Sequence, residues 1–212
     1  MRTRLLDTIL ATYRGDQNRG PAVLDEVLRC ANVSKTNFYK YFPSLEAAVG
    51  ELGERLADEM TDAIISNYQH VTRAPERLAT GFQLFLSRAA IDARWGSFVA
   101  HGAYLNPNHK LLREVRKDFE MGLRCGDYKI EVIDAAVHLT IGAMVEGMRH
   151  LLEAPRSQAY IQELTAMTLR GMGVPTSQAT ATARRASAQL DREAGDLFPW
   201  WKPFDCTVKA NR

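Results

Sequence analysis

The stretch that decides the fold is Val33–Val49, VSKTNFYKYFPSLEAAV. Asn32 and Val33 form a tight turn, and Ser34 stands where a hydroxyl caps a new helix. Phe38 and Phe42 are four residues apart, so they share one helix face and can anchor it to a core. Lys35, Thr36, Asn37, Tyr39 and Lys40 then point mainly away from that core. Pro43 stops the helix and Ser44 caps the next. Just upstream, Leu24, Val27, Leu28 and Ala31 recur at helical spacing, with Leu28 and Val33 placed to pack two short helices together. Helix, three-residue turn and helix is the spacing of a helix-turn-helix.

The outward residues have the chemistry a duplex reader needs. Lysine is a point charge for a phosphate or a guanine edge, asparagine pairs bidentately with adenine, and a threonine methyl meets a thymine methyl. Tyrosine hydroxyls reach phosphate oxygens, and a helix start adds backbone donors for a phosphate. Between Glu26 and Glu46 there is no acidic residue, whereas Arg29, Lys35 and Lys40 are present. Phosphate contacts supply most non-specific affinity, so that charge segregation matters more than a net charge of +2 over 212 residues.

Working outward, helical periodicity covers almost the whole chain, and few stretches alternate with period two. The expected fold is all-α: an N-terminal three-helix head carrying the helix-turn-helix, then a C-terminal helical bundle. Leu6, Ile9, Leu10 and Tyr13 mark a first helix, separated from the second by GDQNRGP, residues 15–21. A long helix runs from about Leu45 to about Tyr68. Pro75 opens another, with Leu78, Phe82, Phe85, Leu86 and Ala89 inward. Asp92 caps one carrying Trp95, Phe98 and Val99, and Asn106-Pro107 starts one with Leu112, Val115 and Phe119. After a break at Gly126-Asp127, the most apolar segment spans Ile130 to Leu152, and a last core helix spans about Pro155 to Met172. From Thr176 the composition turns small and polar, then aromatic and proline-rich (FPWWKPF), which reads as one weakly helical segment and an extended tail. The expected domains are 1–46 for the head, 47–175 for ligand binding and dimerisation, and 176–212 as a C-terminal extension. Phe198, Trp200, Trp201 and Phe204 are too apolar to stay in water and should dock on the body or on a partner chain.

Other function classes find little support. Cys30, Cys125 and Cys206 are scattered and odd in number, which argues against a disulfide framework or a zinc site and for a reducing compartment. His101, His109, His138 and His150 have no metal-binding spacing. No segment has the length of a membrane span, and the first residues lack a signal peptide's apolar stretch, so a cytoplasmic location is expected. No Gly-rich phosphate loop, nucleophile elbow or paired acid motif occurs, so neither an enzyme nor a cofactor is expected. Aromatic and methionine side chains of the body offer an apolar pocket for a small apolar or aromatic molecule: Phe82, Phe85, Trp95, Phe98, His101, Tyr104, Met121, Met144 and Met148. His138 and Glu146 on the apolar helix could orient a polar group of such a ligand. For each of these residues core packing is the competing role.

The same stretch resembles the signature of the TetR (tetracycline repressor) family of bacterial regulators, roughly V-S-x-x-x-[LFI]-Y-x-[YH]-F-x-[SD]-[KR]-E-x-L. Ser34, Phe38, Tyr39, Tyr41, Phe42, Ser44 and Glu46 fall in register, about thirty residues from the N-terminus, and the motif resemblance covers roughly residues 4–50. It implies DNA contacts from Ser34, Lys35, Thr36, Asn37, Tyr39, Lys40 and Tyr41. It also implies a homodimer built on the last two core helices, a palindromic operator, an effector held in the body and, most often, repression. Ala22-Val23 replaces the usual threonine pair, Asn32 the usual turn glycine, and Leu45 a usual Lys or Arg, so a moderate phosphate grip is expected. The alternative reading is a helical protein–protein interaction module whose head binds no DNA.

Overall fold

The computed structural model describes residues 1–12, 23–102, 109–153 and 156–203. Among these the chain forms ten α-helices and no strand: α1 (Arg2–Thr12), α2 (Leu24–Ala31), α3 (Lys35–Tyr39), α4 (Leu45–Asn67), α5 (Ala74–Ile91), α6 (Ala93–Gly102), α7 (Lys110–Arg124), α8 (Ile133–Glu153), α9 (Gln158–Gly171) and α10 (Thr176–Leu197). Tyr13, the 15–21 connection and Phe204 lie outside the described residues.

Local chemistry sets the head. Asn32 ends α2 in the left-handed region at φ 50°, which asparagine tolerates better than most residues. Ser34 Oγ accepts from the Asn37 amide at 3.2 Å, and Ser44 Oγ accepts from the Ala47 amide at 3.1 Å, so each helix start has a cap. Phe38 and Phe42 are fully buried with ring centroids 5.6 Å apart. They join Leu5, Leu6, Ile9, Val27 and Leu52 in a core that runs on into the body. Arg2 ties α1 to the corner after α3: it donates to the Tyr41 carbonyl at 3.0 Å, pairs with Glu51, and lies over the Phe42 ring.

α4 leaves the head and enters the body, where α5, α6, α8 and α9 pack around it and on each other. Asp92 caps α6 through the Trp95 amide, at 3.1 Å. α7 begins at Lys110 rather than at Asn106-Pro107, which lie outside the described residues. His109 is the reason: its Nδ1 accepts from the Leu111 amide at 3.2 Å. Gly126, at φ 72°, ends α7 with its amide on the Leu123 carbonyl. α8 starts at Ile133, three residues later than its apolar run, because Lys129 instead donates its amide to the Met172 carbonyl.

The C-terminal segment differs from its sequence reading. Thr176–Leu197 is a continuous helix of 22 residues packed on α5 and α9. Its alanines are strong helix formers, and Ala179, Ala183, Ala186, Leu190 and Ala194 make one buried stripe. Beyond it Phe198 and Trp201 are buried on the body. Among the described residues no helix is long and apolar enough to cross a membrane.

Candidate nucleic-acid interface and effector cavity

On α3, Ser34, Lys35, Thr36, Tyr39 and Lys40 are exposed, while Asn37 and Tyr41 are half-buried. Phe38 faces the opposite way, into the core, and Tyr39 meets it edge-on with centroids 5.6 Å apart. No ion pair involves Arg29, Lys35 or Lys40 among the described residues, so three cations on α2 and α3 face solvent uncompensated. The Asn37 amide group likewise makes no side-chain hydrogen bond there. The nearest acid beyond the corner, Glu46, is exposed. Its carboxyl is held below the ordinary carboxylate range by its own backbone amide and by the Ser44 hydroxyl. The polar edge of α3 is thus open and basic, and its back is fixed by two phenylalanines.

In the body a cavity of about 80 Å³ opens between α4, α5, α7 and α8. Of the residues expected to form a pocket, Phe82, Phe85 and Met144 line it. Four others do not. Trp95 stacks behind Phe85, at 5.9 Å between centroids, and against Arg88. Phe98 and Met148 have no exposed surface, being used up in helix packing. Met121 is half-buried beside the second core cluster, which holds Phe119 and Tyr128. His101 belongs to α6, and Tyr104 lies outside the described residues. His138 and Glu146 are exposed on α8, with Glu146 paired to Arg149, so neither reaches the cavity.

Sequence reasoning missed the polar part of this cavity. Arg77 of α5 donates from Nε to Asp118 Oδ1 of α7 at 2.7 Å, and from Nη1 to the Val71 carbonyl at 3.4 Å. Burial raises the Asp118 carboxyl above its ordinary value, against the opposing pull of Arg77. Glu114 lies on the same wall and pairs with Lys117 at 2.6 Å. Thr140 and Tyr68 also line the cavity, and their hydroxyls are buried without a hydrogen-bond partner. Burial, together with the charge of Glu193, pushes the Tyr68 phenol up to about 12. Arg77 and Asp118 read as solvent-face charges because they are 41 residues apart. The one local signal was Thr140, a hydroxyl in the middle of the most apolar segment.

α4 joins the two sites. Leu45, its first residue, packs at the corner after α3, and Thr61, Ile64 and Ile65 near its end line the cavity. At 1.5 Å per residue they are about 24 Å apart along one rigid element.

An open basic helix edge on a three-helix head, carried by an all-helical body with an internal cavity, defines a helix-turn-helix protein of the effector-binding kind. The sequence matches no protein-family model and no curated protein. Solved structures do resemble it. RolR in complex with resorcinol is 25% identical, with a TM-score of 0.71, covering 87% of this chain and 93% of that one. The fatty acid degradation regulator FadR from Bacillus halodurans is 15% identical with a TM-score of 0.63, over 82% of this chain and 97% of that one. The TetR family protein CprB from S. coelicolor A3(2) is 16% identical with a TM-score of 0.56, over 89% and 96%. The chain has the fold of the TetR family of transcriptional regulators.

Proposed function

We propose that this protein is a ligand-responsive transcriptional regulator, a repressor that binds a palindromic operator as a homodimer and releases it when a small apolar or aromatic effector enters the body. The observation that carries this reading is the α3 edge: Lys35, Thr36, Asn37 and Lys40 stand unpaired by any carboxylate in front of a fully buried Phe38. Residues 1–46 act as the DNA-binding head, 47–175 as the effector and dimer domain, and 176–212 as an extension that braces the body.

Ser34, Lys35, Thr36, Asn37, Tyr39, Lys40 and Tyr41 are the DNA-contacting set. One head alone buries too little surface to bind well, and two heads must sit about 34–36 Å apart to meet successive major grooves. Leu139 on α8 and Met167 on α9, both more than half exposed, support a dimer face, with Gly142 and Gly171 leaving room for close approach. The cavity, backed by Phe82, Phe85 and Met144, is the effector site, and α4 carries its state to the head. RolR's complex with resorcinol supports a small aromatic molecule as the class of effector. Ligand and operator affinities are then reciprocally coupled.

Footprinting on the DNA beside its own gene tests the reading. Two protected half-sites one helical turn apart are expected. Absence of protection on any duplex, with a folded dimer in hand, contradicts it and favours a protein-binding head.

A further inference from the structure

We infer that the cavity between α4, α5, α7 and α8 takes an uncharged single-ring aromatic carrying a hydroxyl, with Asp118 and Thr140 as the residues that select it. This rests on the reading of that cavity as the effector site. Size comes first. A water-sized atom needs about 10–15 Å³ of such space, so about 80 Å³ seats roughly five to eight heavy atoms, one ring with a substituent. A long acyl chain does not fit. Ile64, Phe82, Phe85, Val115 and Met144 supply an apolar wall that suits a ring face.

Charge comes next. Arg77 is committed to Asp118, and Glu114 to Lys117, so the cavity wall has no spare charge of either sign. A ligand carboxylate would meet two carboxylates and an arginine already neutralised. A ligand ammonium would have to compete with Arg77 or Lys117 for its partner. Burying an unpaired ion is costly, so a neutral molecule is favoured.

Hydrogen bonding then asks for a hydroxyl. Asp118 spends Oδ1 on Arg77, and its Oδ2 takes no hydrogen bond from the described residues. Thr140 is 2% exposed, and its Oγ1 has no partner, although threonines at Thr61, Thr165 and Thr168 all bond the carbonyl four residues back. A buried acceptor and a buried hydroxyl on one small wall are completed by a ligand O–H, which donates to Asp118 and accepts from Thr140.

The test uses the full chain and four probes sharing one ring: phenol, benzoate, benzylamine and toluene, each followed by calorimetry and thermal shift. Phenol should bind at least tenfold more tightly than the other three. Thr140→Val, which keeps the side-chain shape, should weaken phenol about tenfold and leave toluene unchanged, and Asp118→Asn should do the same if its Tm stays near that of the parent. Benzoate or benzylamine binding as well as phenol overturns the inference, as does phenol binding untouched by both substitutions. A gel shift separates the two layers. Phenol that binds as expected without releasing operator supports the ligand class and removes the effector role.

Discussion

Tyr68 stacks on Phe198, with ring planes 17° apart and centroids separated by 6.3 Å. A wall residue of the cavity is therefore braced from outside by the first residue after α10. Trp200 continues the brace by lying over Arg88 at 4.6 Å, and Arg88 in turn lies over Trp95, which packs on Phe85 at the cavity wall. Replacing Phe198 with Ala removes a side chain that is 2% exposed. A buried phenylalanine lost in this way costs about 3–5 kcal/mol. For a chain of this size each kcal/mol shifts Tm by about 2–4 °C. Calorimetry should show a fall of roughly 6 °C or more, and truncation after Leu197 should do at least as much. An unchanged Tm would mean that the aromatic segment does not brace the body.

Phe38 and Phe42 hold the recognition edge from behind, so Phe38→Ala should cost about 3–5 kcal/mol and should abolish DNA binding before the body unfolds. Ser34→Ala removes only the cap, at about 1 kcal/mol, and should leave the fold intact while weakening binding modestly. Paired denaturation and gel-shift measurements on the two variants check this ordering.

α5 and α6 approach so closely at Gly96 that a methyl group there would stand 2.7 Å from the Cα of Ala89. Because the obstacle is backbone, it cannot rotate away. Gly96→Ala should destabilise by about 1–3 kcal/mol despite a better helix propensity. Urea unfolding with an unchanged m-value would confirm strain in the native state, and a stabilised variant would contradict the close approach.

Leu139 and Met167 are 52% and 54% exposed on adjacent helices. A charge on that surface is harmless to a monomer and disruptive to a dimer face. Leu139→Glu should keep the helical signal and Tm of the subunit yet halve the mass seen by light scattering, with loss of operator binding. A mass unaffected by Leu139→Glu and by Met167→Glu would place any self-association elsewhere.

Much of the helix pattern was legible because its signals are local. Ser34, Ser44 and Asp92 act within three residues, Asn32 sets its own φ, and Phe38 with Phe42 share a face by spacing alone. The cavity was not, since periodicity tells which residues turn inward but not which of them leave a gap. Trp95, Phe98 and Met148 turn inward and fill space, whereas Phe82, Phe85 and Met144 turn inward and border it. The Arg77–Asp118 pair was hidden for a related reason, because a charge on a long helix looks solvated until another helix is packed over it. The C-terminal helix was under-read because its alanines and polar residues carry helix propensity but little apolar periodicity.

The central claim is that the outer edge of α3 meets duplex DNA, and salt dependence tests it most directly. Titration of the protein against duplex DNA at several salt concentrations should give log K falling linearly with log salt, with each phosphate contact adding about 0.9 to the slope. Lys40→Ala should weaken binding to every sequence and flatten that slope by about one, while Asn37→Ala should leave the slope alone and relax preference at one base pair, at about 1–3 kcal/mol. Binding and slope identical to the parent in both variants would show that DNA, if bound at all, is held by some other surface.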